Sequence, residues 1–376
     1  MLLFKCKPTI YNFEAFSEFA EEFEVGEGDL VLTLSFLYDK VFKPLNLKCN
    51  YIFQDKYGLG EPTDEMVNSI FKEAQEFNYK RVIAVGGGTV IDIAKLMTHS
   101  DVSEDIDLYG LFTKKIPFNK NKKLVIIPTT CGTGSEVTNI SIVGFIKKNT
   151  KFGLAAEELY ADDAVLITEF LQTLPFKPFM TSSIDALIHG IESYLAPKSN
   201  AYTELYSLRA IRIILEGYLE IAEKGKEYRN EIMNNFAIAS NYAGIAFSNT
   251  GVGAVHAISY PLSGKYHVAH GEANYQFLTE VLRTYYNMDS EGKIKELNTY
   301  LSTILDVKDD AEVVYEKIDE ILGNFLYKKK LSEYGMQQND IDEFAGLVIE
   351  TQQRLLKNNY VPFDKSIISS VYKNLF

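Results

Sequence analysis

The sequence predicts an α/β nucleotide-binding domain with a parallel sheet over residues 1–175, followed by an all-helical domain over residues 176–376. In the first part, short apolar runs rich in β-branched residues alternate with stretches of helical periodicity. Such alternation is typical of a parallel sheet covered by helices on both faces. After Pro175 and Pro178 only helical periodicity remains. A chain of 376 residues is long enough for two domains of roughly 150 residues or more.

The predicted strands are apolar runs bounded by polar residues or glycine. They are Leu30–Leu34, Arg81–Val85, Lys123–Ile127, Ile140–Ile146 and the run that ends at Ile167. A helix is predicted over Thr63–Phe77, because Pro62 and Thr63 together form a standard start signal. The helices of the second part are Met180–Tyr194, Tyr202–Gly225, Arg229–Phe247, Gly271–Tyr286 and Asp340–Asn358.

The composition of the chain limits which kinds of molecule the protein can bind and in which cellular compartment it is expected. The formal net charge of -13 argues against nucleic acid or an anionic membrane surface as the main partner. We find no apolar run close to the roughly 20 residues of a membrane span and no signal-peptide pattern at the N-terminus. The three cysteines, Cys6, Cys49 and Cys131, are odd in number and widely separated, so we expect neither a disulfide framework nor a zinc cluster. A cytoplasmic location is expected.

Two glycine-rich loops follow predicted strands. Gly86-Gly-Gly-Thr opens a predicted helix, where glycine allows close approach of backbone to phosphate and the helix terminus offers free N–H groups. Pro128-Thr-Thr-Cys-Gly-Thr-Gly-Ser follows the next strand and is dense in hydroxyl groups. Either loop alone could be a tight turn without a ligand. Together, at the carboxyl ends of neighbouring strands, they predict a nucleotide cofactor.

Asp185 and His189 stand four residues apart in a segment that is interpreted as a helix start, so both side chains point to one spot. His256 and His270 could complete a four-ligand oxygen and nitrogen set for iron or zinc. This interpretation uses three of the five histidines in the chain. The alternatives are histidines satisfied within the core and, for Asp185, a first-turn acid that stabilises the helix dipole.

These motifs resemble, in order, the signatures of the group III, iron-containing alcohol dehydrogenases. The matching segments are Gly86-Gly-Gly-Thr-x-x-Asp-x-Ala-Lys, Pro128-Thr-Thr-x-Gly-Thr-Gly-Ser-Glu-Val-Thr, the Asp185-x-x-x-His189 pair and His256…His270-Gly. The resemblance covers essentially the whole chain and implies the two-domain, dehydroquinate synthase-like architecture. Within the family the chain is most similar to the 4-hydroxybutyrate dehydrogenases of fermenting anaerobes, through Gly58-Leu-Gly-Glu-Pro and the segment from Ser259 to Tyr275.

The resemblance implies roles for particular residues. The implied metal ligands are Asp185, His189, His256 and His270, with Fe²⁺ or Zn²⁺ as the ion. The implied contacts with the cofactor pyrophosphate are Gly87, Gly88 and Thr89. The second loop would be lined by Thr129, Thr130 and Thr133, and the nicotinamide side would be approached by Ile142 and Lys151.

The chain departs from the family pattern at two sites. Many relatives carry an aspartate for the adenine ribose after the second strand, where this chain has Leu34 and Ser35 after Thr33. We still expect a preference for NAD over NADP, with Glu61 as a possible source of repulsion against a 2′-phosphate. Relatives often carry a second histidine four residues after the one matching His256, and here that residue is Tyr260. In this chain His267 could take the place of that second histidine as the proton relay. The alternative is that His267 only lines the mouth of the cleft.

The implied reaction is metal-assisted hydride transfer between 4-hydroxybutyrate and NAD, giving succinate semialdehyde. Candidate groups for proton transfer or for holding the substrate carboxylate are Tyr260, Lys265, Tyr266, His267 and Lys151. Lys265 could also be no more than a solvated loop residue. The alternatives are another short alcohol or diol such as butanol or 1,3-propanediol, a dehydroquinate-synthase-like lyase, and a non-catalytic scaffold. The resemblance implies a homodimer or a multiple of it.

Overall fold

The structure is a computed structural model and describes residues 2–148 and 150–376. The chain divides into two compact units. One is Cys6–Leu174, and the other is Pro175–Phe376 together with the N-terminal residues through Lys5. No helix in the described ranges is long and apolar enough to cross a membrane.

The first unit is built on a six-stranded parallel sheet with the strand order β1-β8-β5-β4-β2-β3. The strands of this unit are β1 Thr9–Phe13, β2 Asp29–Thr33, β3 Asn50–Phe53, β4 Arg81–Gly86, β5 Lys123–Pro128, β6 Ile140–Phe145, β7 Thr150–Ala155 and β8 Asp163–Ile167. Strand β4 lies between β2 and β5, so the carboxyl ends of these three strands share one edge of the sheet. The α/β class with a parallel sheet is confirmed.

Both faces of the sheet are buried, and the two-residue period of the strands explains how. On β2, Leu30 and Leu32 belong to the core on one face, while Val31 belongs to the core on the other. The helices that cover the sheet and complete this unit are α1 Phe16–Glu22, α2 Ser35–Leu37, α3 Asp64–Ala74, α4 Gly88–Leu96, α5 Leu108–Phe112 and α6 Thr168–Gln172. Thr63 caps α3 by accepting a hydrogen bond from the Met66 amide, which confirms the predicted helix start.

Strands β6 and β7 form a separate antiparallel hairpin outside the six-stranded sheet. The predicted strand at Ile140–Ile146 is present as β6. Its inner residues pack against the core that also covers one face of the sheet, through Val143 and Phe145.

In the described part of the second unit, the regular elements are all helical. The α-helices are α7 Phe176–Leu195, α8 Ala201–Lys224, α9 Met233–Thr250, α10 Ala254–Tyr266, α11 His270–Met288, α12 Gly292–Leu305, α13 Ala311–Gly323, α14 Asp340–Thr351, α15 Gln353–Leu356 and α16 Lys365–Leu375. Two predicted helices differ from the structure. The helix predicted over Arg229–Phe247 begins only at Met233, after a 3₁₀ turn at Lys226–Asn230, and the predicted helix Asp340–Asn358 is divided into α14 and α15.

The interpretation of Asp185 as a residue near a helix start is wrong. Helix α7 begins at Phe176, so Asp185 lies in the middle of a 20-residue helix. Pro178 does not end this helix, because a proline in the first turn removes an N–H group that has no partner within the helix. Every residue from Ser183 to Leu195 is buried, and a helix buried on all sides belongs to the core. Stabilisation of the helix dipole therefore does not explain why a carboxylate is buried at Asp185.

Candidate metal centre and cofactor loops

Three of the predicted metal ligands converge in the helical unit. One ligand atom from each of Asp185, His256 and His270 lies within 4.8 Å of the others. Nε2 of His256 lies 3.5 Å from Oδ1 of Asp185, and Nε2 of His270 lies 3.8 Å from the same oxygen. His189 faces the other carboxylate oxygen, with 3.9 Å between its Nε2 and Oδ2. The structure thus brings three of the four predicted residues into one cluster, and His189 lies beside its carboxylate.

These residues come from three helices. Asp185 and His189 are one turn apart on α7, His256 lies in the first turn of α10, and His270 is the first residue of α11. The His189 ring is held by stacking on both sides. Its centroid lies 4.3 Å from that of Phe247 and 4.7 Å from that of His256, with interplanar angles of 24° and 15°. The ring orientation of His189 is therefore fixed by packing.

The spacing and the hydrogen bonding of this cluster fit a divalent ion. Ligand atoms about 2.1 Å from a tetrahedral ion are about 3.4 Å apart, close to the separations around Asp185. Nε2 of His256 is buried and has no hydrogen-bonding partner within the described residues. The donor set of one carboxylate and three imidazoles suits Fe²⁺ or Zn²⁺. His270 is the one side chain of the four that is about one-third exposed (34%), so the cluster is open to solvent there.

The electrostatic environment keeps the carboxylate ionised. Burial alone would favour the neutral acid, but His189, His270 and His256 hold the pKa of Asp185 well below its usual range. Burial lowers the pKa of His189 to about 4. Burial also opposes the charged form of His256, yet Glu192 and Asp185 raise its pKa to about 9. The ionised carboxylate therefore supplies a negative charge at the centre of the cluster.

Two buried side chains support the cluster and were not predicted from the sequence. Glu192, on α7, accepts a hydrogen bond from Nδ1 of His256 at 2.6 Å. Asn274, on α11, donates from Nδ2 to Oδ1 of Asp185 at 2.7 Å. Glu192 follows Asp185 by seven residues and His189 by three, so helical periodicity places all three on one face of α7. That periodicity is the signal that could have identified Glu192.

Gly271 allows α11 to approach α7 closely enough to place His270. A Cβ atom built on Gly271 would lie 2.0 Å from the carbonyl oxygen of Thr181 and 3.5 Å from Cβ of Asp185. No residue with a side chain fits such a contact with backbone. The close approach of the two helices at this residue brings His270 to Asp185.

In the first unit, the two glycine loops lie side by side. Strands β4 and β5 pair through Gly86 and Pro128, and the Thr129 amide donates to the Gly86 carbonyl at 3.0 Å. A Cβ atom on Gly87 would lie 3.6 Å from Cγ2 of Thr130, and one on Gly88 would lie 3.6 Å from Cγ2 of Thr133. All of these predicted residues therefore meet at one edge of the sheet.

Helix α4 begins directly at this edge. Its N-cap is Gly87, which has no side chain to bond the first-turn amides. These amides are available to a phosphate group, and the helix dipole favours one. Thr89 does not point its hydroxyl freely into this region, because Oγ1 donates to the Gly60 carbonyl at 2.7 Å.

The β6–β7 hairpin carries the two residues predicted near the nicotinamide. Ile142, on β6, is partly exposed, and Lys151, on β7, forms an ion pair with Glu61. Glu61 is therefore neutralised by Lys151 and is a poor source of repulsion against a 2′-phosphate. Helix α4 holds the hairpin: the Asp92 carboxylate accepts from the Ile142 amide at 3.0 Å, and buried Lys95 donates to the Ile140 carbonyl at 2.7 Å.

A carboxylate contacts Ser35, in the segment after β2 where this sequence lacks the ribose aspartate expected from the family resemblance. The Ser35 amide donates to Oδ1 of Asp55 at 2.8 Å, and the Ser35 hydroxyl donates to Oδ2 of the same residue. Asp55 follows strand β3, the neighbour of β2. Strand β2 lies between β3 and β4, so the segments that follow these strands, with Asp55, Ser35 and the glycine loop, lie at the same edge of the sheet. The sequence alone gave no signal for Asp55.

The residues considered for proton transfer and substrate anchoring differ in position. The Tyr260 ring lies 5.9 Å from the ring of His270. His267 is exposed, ends α10 in the left-handed conformation, and has no hydrogen bond or ring contact in the described ranges. Lys265 donates to Oδ1 of Asp340 at 2.6 Å, and the Tyr266 hydroxyl donates to the other oxygen of the same carboxylate. Lys265 is therefore neither merely solvated nor available as a simple anion anchor.

Comparison with known proteins agrees with this arrangement of fold and site. The family model "Iron-containing alcohol dehydrogenase" matches residues 8–168, and "Fe-containing alcohol dehydrogenase family, C-terminal" matches residues 179–376. The 4-hydroxybutyrate dehydrogenase of Clostridium kluyveri is 51% identical over 376 residues, which are 100% of both chains.

Solved structures share the fold at low sequence identity. A 1,3-propanediol oxidoreductase superposes with a TM-score of 0.86 at 19% identity, covering 100% of both chains. A sulfoacetaldehyde reductase from Bifidobacterium kashiwanohense, solved in complex with NAD⁺, superposes with a TM-score of 0.84 at 20% identity, covering 100% of this chain and 99% of that one. The two family models together match most of the chain, and the chain belongs to the iron-containing alcohol dehydrogenase family.

Proposed function

We propose that this protein is a metal-dependent, NAD-linked dehydrogenase that interconverts 4-hydroxybutyrate and succinate semialdehyde. The observation that carries the chemistry is the convergence of Asp185, His256 and His270, in which the buried Nε2 of His256 faces Asp185 and makes no hydrogen bond within the described residues. The choice of substrate rests on the 51% identity with the Clostridium kluyveri enzyme along the full chain. Identity at this level over the whole length favours the same substrate over butanol or 1,3-propanediol.

We propose Asp185, His189, His256 and His270 as the ligands of Fe²⁺ or Zn²⁺, within a metal-binding domain spanning residues 176–376. When bound, such an ion lowers the pKa of a substrate hydroxyl as a Lewis acid, and NAD accepts the hydride. Asp185 contributes a charge that stays ionised at neutral pH. The deep burial of Asp185, His189 and His256 excludes water from these three side chains. The exposed side, at His270, is where a substrate hydroxyl would approach.

We propose that residues 1–175 bind the dinucleotide. Gly87, Gly88 and Thr89 would hold the pyrophosphate at the start of α4, where free amide groups favour an anion. Thr129, Thr130 and Thr133 would line the neighbouring loop. Ile142 and Lys151 would contact the nicotinamide side from the β6–β7 hairpin, which Asp92 and Lys95 hold in place.

The preference for NAD over NADP is proposed to rest on Asp55. Its carboxylate is fixed by Ser35 at the carboxyl end of β2, one strand away from the glycine loop after β4. A carboxylate held at the end of this neighbouring strand can accept hydrogen bonds from ribose hydroxyls and repels a 2′-phosphate. We expect Asp55→Asn to reduce the NAD-over-NADP ratio of kcat/KM at least about tenfold, a loss of about 1.4 kcal/mol of discrimination. Fluorescence titration with NADH and NADPH checks binding directly, and an unchanged ratio would remove Asp55 from this role.

For proton transfer we propose Tyr260 first, because its ring lies beside His270. His267 and Lys151 remain the alternative groups from the sequence. A tyrosine hydroxyl can pass a proton between the reacting oxygen and solvent if a substrate places that oxygen at the open side of the cluster.

The proposed function is tested by an anaerobic activity screen of the Fe²⁺- or Zn²⁺-loaded protein. Substrates are 4-hydroxybutyrate, butanol, 1,3-propanediol and glycerol, each with NAD and NADP. We expect the highest kcat/KM for 4-hydroxybutyrate with NAD. A higher kcat/KM for a simple alcohol or diol would show that the substrate is not a hydroxy acid. Absence of NADH production from all four would favour the lyase or the scaffold alternative.

We also propose a homodimer or a multiple of it, and a cytoplasmic location. The location is supported by the three cysteines, which are all free thiols. Sedimentation of the metal-loaded protein checks the oligomeric state.

A further inference from the structure

We propose that Glu192 is a positioning residue that selects the tautomer of His256 and thereby prepares the metal centre. This inference rests on the proposed metal-dependent function. Glu192 would not touch the ion or the substrate. It acts through the imidazole ring and through the helix that carries that ring.

The contact between Glu192 and His256 fixes which ring nitrogen carries the proton. Oε2 of Glu192 lies 2.6 Å from Nδ1 of His256, and both side chains are 2% exposed. An ionised carboxylate can only accept hydrogen bonds, so Nδ1 must be the N–H donor. In the neutral ring, Nε2 then carries the lone pair. This nitrogen lies 3.5 Å from Oδ1 of Asp185 and makes no hydrogen bond within the described residues.

The same carboxylate also caps the helix that carries His256. Oε1 of Glu192 accepts from the Val255 amide at 2.7 Å. The N-cap residue of α10 is Gly253, which has no side chain to perform this task. Capping by an anion is favourable at a helix N-terminus, where amide groups lack partners and the dipole is positive. Glu192 therefore fixes both the start of α10 and the rotation of the His256 ring.

The Glu192→Gln variant can keep only one of these two hydrogen bonds, the one to the Val255 amide or the one to Nδ1 of His256. The amide oxygen of glutamine can still accept from Val255, which keeps the cap. The amide nitrogen then faces Nδ1 and can only donate to it, so the proton of a neutral His256 must move to Nε2. If the amide is flipped, its nitrogen faces the Val255 N–H, and the cap is lost instead. The first arrangement puts the proton on Nε2 and blocks its coordination of a metal, whereas the flipped one keeps the tautomer but removes the cap that fixes the start of α10.

The test measures Zn²⁺ affinity of the full-length, metal-stripped protein by competition with a chromophoric chelator. We expect Glu192→Gln to bind Zn²⁺ about 10–100-fold more weakly than wild type. Glu272→Gln is the matched control. Glu272 is a buried carboxylate of the same unit, but it contacts Lys177 and Tyr334 instead of a histidine. We expect this control to bind Zn²⁺ within about threefold of wild type.

The outcomes separate this inference from the proposed function. Wild-type affinity in Glu192→Gln would overturn the role of Glu192 and leave the metal site intact. Absence of Zn²⁺ binding by the wild type would overturn the metal-dependent function itself. Should the variant not fold, ¹⁵N-histidine NMR of the Zn²⁺-loaded wild type decides. A protected N–H at Nδ1 of His256 supports the inference, and coordination through Nδ1 contradicts it.

Discussion

Replacement of Gly271 tests whether helix packing creates the metal centre. A Cβ atom on this residue would lie 2.0 Å from the carbonyl oxygen of Thr181 and 2.8 Å from its carbonyl carbon. The obstructing atoms are backbone of α7, so rotation of a side chain cannot relieve the overlap. We therefore expect Gly271→Ala to move the start of α11 away from α7.

The size of this movement follows from contact distances. A non-bonded carbon and oxygen approach to about 3.3 Å, so the helices must separate by about 1.3 Å. His270 immediately precedes Gly271, and its Nε2, now 3.8 Å from Oδ1 of Asp185, would move outward by a comparable amount. Metal sites tolerate deviations of about 0.2 Å in ligand distance, so His270 would leave the coordination set. Overpacking of this kind costs about 1–3 kcal/mol in addition.

Three measurements check this prediction for Gly271→Ala. We expect Zn²⁺ affinity to fall at least about tenfold and kcat/KM about 100-fold. The Tm should fall by roughly 3–10 °C. Gly264→Ala is the control, because Gly264 lies on α10 and a Cβ atom there meets no atom within 4 Å. Alanine is the better helix former, so this control should be as stable as wild type or slightly more so. Wild-type metal affinity and activity in Gly271→Ala would refute the reasoning.

Further predictions concern the support of Asp185, the proton donor, a buried lysine and the metal itself. Asn274→Leu removes the amide that orients Asp185, and chelator competition should show roughly tenfold weaker Zn²⁺ binding. Tyr260→Phe should remove one limb of the pH dependence of kcat/KM, whereas His267→Gln should leave the profile unchanged; the opposite pair of results would assign proton transfer to His267. Burial lowers the pKa of Lys95 from 10.5 to about 8. Between these two pH values the unfolded state binds more protons than the folded state, so the free energy of unfolding should rise with pH by about 3 kcal/mol. Urea unfolding at pH 8 and 10.5 should show this increase relative to Lys95→Met, and an equal slope in both proteins would contradict it. Removing the metal with a chelator should lower the Tm, reversibly on adding Zn²⁺, and scanning calorimetry that finds no shift would argue against a metal bound to the folded state.

Central strands were predictable and edge strands were not, for a physical reason. Each residue of β2 is buried, and its three central residues, Leu30–Leu32, form a continuous apolar run. Strand β1 lies at the edge of the sheet, and its exposed residues include Thr9 and Ile10. An edge strand with mixed exposure lacks both the apolar run and a clear alternation. The β7 strand of the hairpin is likewise largely exposed and was not predicted.

The charged groups near the cofactor loops show what a local pattern misses. Glu61 was assigned repulsion of a 2′-phosphate from its place in the sequence, but its partner Lys151 is 90 residues away. Asp55 reaches Ser35 because β2 and β3 are neighbours, and the pairing of strands is not visible in a single sequence. Residue types and loops were predictable, whereas the pairing of charges depends on tertiary structure.

The helical unit concentrates the candidate metal centre on one buried helix. Helix α7 carries Asp185 and His189 and also Glu192, which holds the ring of a third predicted ligand and the start of its helix. The fourth, His270, is placed where α11 contacts the α7 backbone through Gly271. Each predicted ligand is thus either part of α7 or positioned by direct contact with it. Because α7 is buried from Ser183 to Leu195, its displacement would require repacking of the core, and this rigidity can hold four ligands at the spacing an ion needs. The stability of this unit and its affinity for metal should therefore change together when residues that contact α7 are replaced.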